Sequence, residues 1–289
     1  MTRASQLKQK QKKKKIKIAA ISITIIILIA LATTAIVIAQ TVYNIPIFPV
    51  TQTQTAEKTD EEYAKALQTL SAAMDENLKK ITSEAAGVPD SLQQLYTRNQ
   101  ETLDFVLDYK NRAQYEKNSS LTQEEIKNDT PHFLQWDKRW GYTTYCDGFF
   151  AVTACGPTCL SMVIVGLTHN ENATPRIIAD YSERNGYSIP GTGTAWKLMT
   201  SGAKAYGLHA KELYLDKNIM IQELDLGHPI ICALGPGDFT QVGHFIVIYG
   251  YKDGQFQIHD PNSILRSEKT WDFDLIKGQI LNLWSFSKK

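Results

Sequence analysis

The sequence has few cysteines, almost no net charge and a single long apolar run. Only four of its 289 residues are cysteines, which is too few for a scaffold held together by disulfides. Lysine and arginine number 31 against 30 aspartates and glutamates, so the formal net charge is +1. This composition is typical of an ordinary globular protein, but the average conceals a strongly polarised N-terminus.

A basic block and an uncharged apolar stretch follow each other at the N-terminus. The basic residues are Arg3, Lys8, Lys10, Lys12, Lys13, Lys14, Lys15 and Lys17. Residues 18–39 carry no charge and consist largely of isoleucine, alanine, leucine and threonine. About 20 apolar residues span a hydrocarbon core of about 30 Å, and lysines mark the cytoplasmic side of such a span. We therefore predict a cytoplasmic tail at 1–17 and a transmembrane helix at 18–39, with the rest of the chain outside the cell.

A cleaved signal peptide is the main alternative to this anchor, because Val37-Ile38-Ala39 resembles a small-residue cleavage site. The apolar stretch is longer than the roughly 7–15 residues of a signal-peptide core, so we favour an uncleaved anchor. Cleavage after Ala39 would instead give a secreted protein. Nucleic-acid binding by the lysine block is disfavoured, because the block directly adjoins the apolar stretch.

A polar linker and two amphipathic stretches come next. Residues 40–59 contain two prolines and a Thr/Gln repeat, and they offer little to bury. From Asp60 onward, apolar residues recur at three- and four-residue steps, which predicts a helix. A turn-forming Gly-Val-Pro-Asp sequence separates it from a second helical pattern that continues to Tyr109. We assign 60–130 as a helical stalk and lead-in, in which 90–130 packs on the domain that follows.

Cys155 stands where a reactive thiol would be expected. It is followed by Gly156-Pro157-Thr158 and by an almost wholly apolar run at 160–167. Proline fits the first turn of a helix because it has no N–H to lose. Cys155 is therefore predicted at a helix N-terminus, near the positive end of the helix dipole. The pKa of a thiol falls in such a position and beside an imidazolium, and the thiolate is the nucleophile.

His244 and Asp260 supply possible partners for this thiol. His244 opens a β-branched and aromatic strand, and Asp260 closes the alternating strand that follows the turn at Gly254. These two ends meet in an antiparallel pair, so Asp260 can accept the imidazole N–H and orient His244 toward the thiol. Three compatible positions together favour catalysis over a structural role for Cys155.

A zinc site is the alternative for the same cluster. Its ligands would be Cys155, Cys159, His244 and His259, which must share one face. His259 and Asp260 point to opposite faces if both lie in a strand, so zinc is disfavoured. We expect no metal in this cluster.

The remaining cysteines, histidines and tryptophans are expected to be structural. Cys159 and Cys232 lie in apolar segments and are predicted to be core thiols. Cys146 could pair oxidatively with either of them in an outward-facing domain, but we expect no obligatory bridge. The other histidines, among them His132, show no partner pattern and are expected at the surface or in turns. Trp140 and its neighbouring tryptophan are expected to pack in the core.

The order of predicted elements after residue 130 indicates an α+β fold. Helical patterns begin at Cys155, at Thr174-Pro175 and at Thr194, and a short helix is predicted at 217–226. Strand patterns lie at 208–215, 229–234, 244–251, 255–260 and 280–286. Helices that come first, followed by an antiparallel sheet, are typical of this class.

Residues 131–289 resemble a papain-like cysteine peptidase of the bacteriocin-processing (double-glycine leader) peptidase-like group. The matching stretches are 133–141, 154–162, 243–245 and 259–263. The resemblance implies a papain-like fold in which Cys155 is the nucleophile, His244 the general base and acid, and Asp260 the orienting carboxylate. Gln135 matches the upstream glutamine that helps to form the oxyanion hole. The resemblance implies no cofactor.

The sequence thus predicts a membrane-anchored extracellular cysteine peptidase that hydrolyses peptide bonds. Its expected partners are a peptide or protein substrate outside the cell and, through residues 18–39, the lipid bilayer. Two alternatives remain open. The same residues could serve an amidase or transpeptidase that acts on cell-wall stem peptides, since only the acyl acceptor and the pocket differ. The domain could also be a non-catalytic peptide-binding module, which the presence of Cys155, His244 and Asp260 disfavours.

Overall fold

The computed structural model of the chain describes residues 60–83, 86–115 and 119–289. The chain divides into two units, Met1–Ala64 and Lys65–Lys289, and the packing described below lies within the second. The predicted basic tail, transmembrane helix and linker at 1–59 lie outside the described residues. Within the described ranges, no helix is both long and apolar enough to cross a membrane.

Helices precede a central sheet and flank it. In chain order the helices are α1 (Asp60–Thr82), α2 (Asp90–Arg98), α3 (Leu103–Leu107), α4 (Gln123–Lys127), α5 (Phe150–Thr153), α6 (Cys155–Thr168), α7 (Pro175–Arg184), α8 (Ala203–Ala205), α9 (Lys217–Asp225), α10 (Ile264–Ser267) and α11 (Phe273–Ile276). Segments of 3-10 helix lie at Gln100–Thr102, Asp108–Gln114 and Lys277–Gln279, and a π-helical turn lies at Leu198–Gly202.

The strands form one large antiparallel sheet and two small hairpins. In chain order they are β1 (Thr144–Tyr145), β2 (Gly148–Phe149), β3 (Ser188–Ile189), β4 (Gly193–Thr194), β5 (Leu208–Glu212), β6 (Ile230–Leu234), β7 (His244–Lys252), β8 (Gln255–His259), β9 (Thr270–Trp271) and β10 (Ile280–Lys288). The six-stranded sheet has the order β5-β10-β6-β7-β8-β9, and all its neighbouring strands are antiparallel. Helices together with an antiparallel sheet confirm the predicted α+β class.

The sheet is buried on both faces at its centre. Ile231 of β6 and Val247 of β7 are paired across the strands and belong to the core cluster that includes α6. Their neighbours Cys232 and Ile246 point to the opposite face, where they pack in a second cluster with Met220 of α9. The alternation follows from the two-residue period of a strand. Cys232 is therefore a core thiol, as the sequence predicts.

The lead-in packs on the domain through a third cluster of buried side chains, to which Leu92 of α2 and Ala151 of α5 belong. Phe105 of α3 stacks on Tyr142 with ring centroids 4.2 Å apart, and the Tyr142 hydroxyl donates to the Phe105 carbonyl at 2.7 Å. Gly141 permits this approach, because a Cβ there would lie 2.7 Å from Phe105 Cε2. Burial of a phenylalanine side chain contributes about 1.5–3 kcal/mol, so this contact holds the segment firmly.

Helix α1, described from Asp60 onward, carries part of its apolar stripe on an exposed surface. Leu67 and Leu70 are 67% and 58% exposed. Ile81, in the last turn of α1, is completely buried in the third cluster. The last turn of α1 is therefore the part of this helix that contacts the packed core of its unit.

Two predicted helices differ from the observed ones. The pattern through Tyr109 predicts one continuous helix, but α2 ends at Arg98, and Asn99 is extended with φ −146° and ψ 100°. The Asn99 side chain accepts from the N–H of Glu101, and asparagine commonly competes with helical hydrogen bonds in this way. Thr194, predicted to start a helix, lies in β4 instead. Its hydroxyl bonds the buried hydroxyl of Tyr145 at 2.9 Å, which a local pattern does not reveal.

Candidate active site

Cys155 is the first residue of α6, where the sequence predicts a helix start. Ala154 precedes it as the N-cap, with φ −101° and ψ 28°. The N–H groups of a first turn have no carbonyl acceptor within the helix, and the helix dipole adds partial positive charge there. Gly156 allows this turn to approach β4, because a Cβ would lie 2.7 Å from Thr194 Cβ. Cys155 is half-buried.

His244 lies between this thiol and Asp260. β8 ends opposite Val247, three positions after His244, so Asp260 continues along the edge of β7 toward the imidazole. His244 Nε2 donates to Asp260 Oδ1 at 2.7 Å, and the nearby Cys155 side chain also raises the pKa of the ring. Because Nε2 faces the carboxylate, Nδ1 is the nitrogen available to the thiol. The structure thus brings together the three residues that the sequence singles out.

Burial and charge act in opposite directions on this pair. Burial of His244 lowers its pKa, but the Asp260 carboxylate and the hydrogen bond to Cys155 outweigh burial and raise the pKa well above that of a free imidazole. Burial of Asp260 raises its pKa, but His244, Arg266 and the backbone N–H of Asn262 more than reverse this and lower it. The arrangement therefore favours a carboxylate beside an imidazolium.

Asp260 is fully buried, and further hydrogen bonds hold both its carboxylate and its backbone. Arg266 Nε donates to Oδ2 at 2.5 Å, and the N–H of Asn262 donates to Oδ1 at 2.7 Å. The backbone N–H of Asp260 donates to Ser267 Oγ at 2.8 Å. His132 Nε2 donates to the Asp260 carbonyl at 2.8 Å. These contacts fix both the position and the rotation of the carboxylate.

Gln135 lies in the same site. Its side chain is buried, and Nε2 donates to the Ala151 carbonyl at 2.7 Å. Its backbone N–H donates to the Pro261 carbonyl at 2.7 Å, which ties it to the residue after Asp260. Gln135 lines a cavity together with Cys155, as an oxyanion donor must. The Gln135 side-chain amide has two N–H groups. One donates to the Ala151 carbonyl, and the other points in a different direction.

Two histidines outside the predicted catalytic set, His132 and His259, lie beside Asp260. His132 stacks on His259 with ring centroids 4.7 Å apart, and Tyr249 stacks on the other side of His259 at 4.1 Å. The expectation of a surface or turn position was therefore wrong for His132, which is half-buried and contacts Asp260. Burial and His132 together lower the pKa of His259 to about 3.

The predicted zinc alternative does not assemble from these residues. His259 Nε2 donates to the Thr130 carbonyl at 3.0 Å, while His244 bonds Asp260. In the ranges that the structure describes, no group of three or more histidine, cysteine, aspartate or glutamate side chains is arranged to hold a metal ion.

The four cysteines, all within the described residues, are free thiols. Burial raises the pKa of Cys159 well above its usual range, and it does the same for Cys232. Cys146 is also buried, and its thiol donates to the Ile189 carbonyl at 2.9 Å. Cys155 is thus the most accessible of the four and the one in contact with a histidine.

Two cavities meet at the thiol and the imidazole. One, of about 590 Å³, extends from Cys155 and His244 toward the β3–β4 hairpin and Trp196. The other, of about 550 Å³, extends toward α2 and the loop at 237–243. Both are also bordered by Val152. A chain bound across Cys155 would therefore have space on both sides of the sulfur.

The sequence did not reveal Arg266 and Ser267 as parts of the site. The available signal was the turn-forming Pro-Asn-Ser sequence after Asp260, in which Ser263 caps α10 by accepting from the N–H of Arg266. That signal predicts a short helix. It does not indicate that Arg266 and Ser267 of this helix contact Asp260.

A helix-start cysteine, a histidine and a buried carboxylate thus lie together in this site. The Peptidase_C39 like family model matches residues 127–289, which is more than half of the chain. The chain therefore belongs to this family, a papain-like group of bacteriocin-processing peptidase-like proteins, and has its mixed helix and antiparallel-sheet fold.

Two solved structures are similar to parts of the chain. The peptidase domain of Streptococcus ComA, a bi-functional ABC transporter involved in a quorum sensing pathway, is 21% identical, with 47% of this chain and 93% of that chain covered and a TM-score of 0.37. A Bacillus anthracis protein described as a C39-like peptidase is 14% identical, with 60% and 99% covered and a TM-score of 0.34. No curated protein matches the chain.

Proposed function

We propose that this chain is a membrane-anchored extracellular cysteine peptidase that uses Cys155, His244, Asp260 and Gln135. The observation that carries the proposal is the buried His244–Asp260 hydrogen bond beside Cys155, at the point where two cavities meet. Membership of a peptidase family supports the same class of reaction.

In the proposed acylation step, Cys155 Sγ attacks the carbonyl carbon of a peptide bond. The sulfur attacks as a thiolate, because its proton has already passed to His244 Nδ1, while Nε2 is engaged by Asp260. The resulting imidazolium is stabilised by the carboxylate, which orients the ring and does not exchange the proton itself. His244 then gives the proton to the departing amine, the C–N bond breaks, and a thioester to Cys155 remains.

The developing oxyanion needs donors that are in place before the reaction. The backbone N–H of Cys155, at the start of α6, and the second side-chain N–H of Gln135 are the proposed pair. Gln135 is suited to this role because its contact with Ala151 fixes the amide plane. In deacylation, His244 takes a proton from water, the hydroxyl attacks the thioester, and Cys155 leaves with that proton restored to it.

A set of peptides tests this proposal directly. The full-length chain is incubated with a peptide library and with cell-wall stem peptides, and products and trapped acyl-enzyme are identified by mass spectrometry. We expect cleaved peptides and an adduct on Cys155, neither of which Cys155→Ala should form. His244→Gln should also be inactive, whereas His209→Gln, an exposed histidine in β5, should match wild type. Turnover by Cys155→Ala would contradict the proposal, and cleavage of stem peptides alone would favour the amidase alternative.

The proposed location follows from the sequence of residues 1–39, with the lysine block inside and the domain outside the cell. Protease added to intact cells should then remove residues after 40 and leave the N-terminal tail protected. A domain that is lost only from permeabilised cells would contradict this orientation. A mature chain that begins at Gln40 would instead indicate cleavage after Ala39.

A further inference from the structure

The loop that carries Asp260 is bonded to the lead-in as well as to the domain. Asn99 Nδ2 donates to the Asn262 carbonyl at 2.5 Å. The Glu101 carboxylate accepts from the N–H of Ile264 at 2.7 Å and from the hydroxyl of Ser263. It also accepts from the next backbone N–H along α10 at 3.1 Å. The donor Asn99 and the acceptor Glu101 both lie in the segment where the predicted long helix is interrupted.

The same short segment holds the carboxylate that faces His244. Arg266 and Ser267 lie on α10, directly after the residues that Glu101 contacts. Arg266 donates to the Asp260 carboxylate, and Ser267 accepts from the Asp260 N–H. The four-residue helix α10 therefore links Glu101 to Asp260. Its first residues are bonded to Glu101, and its last two are bonded to Asp260.

Packing contributes little to the position of α10. Its four residues are exposed or half-buried, with Ile264 39% and Leu265 58% exposed. A helix of one turn is also unstable by itself, because nucleation costs more than one turn of hydrogen bonds returns. Polar contacts therefore hold α10. The Glu101 carboxylate accepts from its first backbone N–H groups, and it acts together with the bonds of Arg266 and Ser267 to Asp260. Trp271 Nε1 also donates to the Arg266 carbonyl at 3.0 Å.

We propose that Glu101 is a positioning residue for Asp260. By holding α10, it keeps Arg266 and Ser267 in contact with Asp260, and thereby keeps the carboxylate aligned with His244. The inference rests on the proposed function, since it assumes that Asp260 orients the base. It assigns a part in catalysis to a residue outside the segment 127–289 that the family model matches.

The first test is kinetic and uses Glu101→Gln in the full-length chain. Glutamine keeps the size of the side chain but loses the charge and places an NH₂ group against backbone N–H donors. Loss of one charge-assisted contact should lower kcat about tenfold, with KM within about twofold of wild type. Glu124→Gln, an exposed carboxylate in the first turn of α4, is the matched control and should behave as wild type. A normal kcat for folded Glu101→Gln would overturn the proposal.

The second test separates positioning from stability. If Glu101 acts through Asp260, then Glu101→Gln should lower kcat by no more than about twofold in an Asp260→Asn background, because the coupled group is already absent. A residue that only stabilises the fold would cost the same factor in both backgrounds. Equal losses would therefore overturn the proposal. If Glu101→Gln does not fold, Glu101→Asp takes its place in both backgrounds. Aspartate keeps the charge but has a shorter reach, so kcat should fall, by less than about tenfold.

The third test does not depend on activity. The His244 ring proton shared with Asp260 should give a strongly deshielded NMR signal, which His244→Gln identifies by its disappearance. In Glu101→Gln this signal should shift or broaden, whereas Glu124→Gln should leave it unchanged. An unaltered signal in Glu101→Gln would refute the positioning role even if the chain proved not to be a peptidase. Absence of turnover with a shifted signal would instead refute the proposed function alone.

Discussion

Arg266 donates from Nε to Oδ2 of Asp260 at 2.5 Å, while the opposite oxygen of the same carboxylate accepts from His244. Asp260 is fully buried, and Arg266 Nη2 is buried without a hydrogen-bond partner among the described residues. The carboxylate thus faces two cationic groups, one in the proposed reaction and one that is structural. Removal of its charge should therefore have two effects that experiments can separate.

Asp260→Asn should lower kcat about 10–1000-fold, because the amide still accepts from His244 but stabilises an imidazolium less well. It should also lower the free energy of unfolding by about 1–3 kcal/mol, since the Arg266 guanidinium loses its carboxylate. Steady-state kinetics and urea denaturation measure the two effects. Adding Arg266→Gln should restore part of the stability with little gain in kcat. Parallel recovery of both would show that the effects are not separable.

The proposed residues should differ in the size of their contributions. His244→Ala removes the base and should lower kcat more than Gln135→Ala does. Gln135→Ala should lower kcat about 10²–10³-fold, because it deletes one oxyanion donor and leaves the backbone N–H of Cys155. Both are measured on one peptide substrate, with folding checked by circular dichroism and exposed Gln222→Ala as the control. A silent Gln135→Ala would remove only the oxyanion assignment.

Cys155 should react with iodoacetamide before the other thiols at mildly acidic pH. It is the thiol that contacts His244, whose raised pKa keeps the imidazolium beside the sulfur under these conditions. Cys159 and Cys232 should react slowly because burial raises the pKa of both. Peptide mapping by mass spectrometry at short times gives the order. His244→Ala should slow the labelling of Cys155, and faster labelling of Cys146 in the wild type would contradict the assignment.

The stabilising effect of the His244–Asp260 pair should depend on pH. The pKa of His244 is raised, so its contribution is complete below about pH 6.5 and declines as the pH rises toward the raised value. The pKa of Asp260 is lowered, so its contribution is complete above about pH 3.9 and is lost as the pH falls through the lowered value.

The measurement is the difference in unfolding free energy between wild type and His244→Gln, from urea denaturation at several pH values. It should be largest between about pH 4 and 6.5 and smaller at pH 9. Both chains contain His132 and His259, so the titration of those residues cancels in the difference. A difference that increases between pH 6.5 and 9 would have the wrong sign.

The sequence predicted those features that depend on local pattern. The glycine and proline after Cys155 indicated a helix start, and the strand patterns placed His244 near Asp260. The contacts of Asn99 and Glu101 with the loop after Asp260 were missed, because their partners lie more than 160 positions away in the chain. Periodicity describes which face of a helix is apolar, but it contains no information about which distant backbone a polar side chain meets.

Helix α2 borders the second cavity through Gln94 and Arg98, although it precedes the segment shared with the family. The proposed reacting groups and one wall of the second cavity are therefore encoded in separate stretches of the gene. Insertions or exchanges upstream of residue 127 could reshape the accepted ligand while Cys155 and His244 stay as they are. Selectivity and reactivity in such a chain can evolve independently of each other.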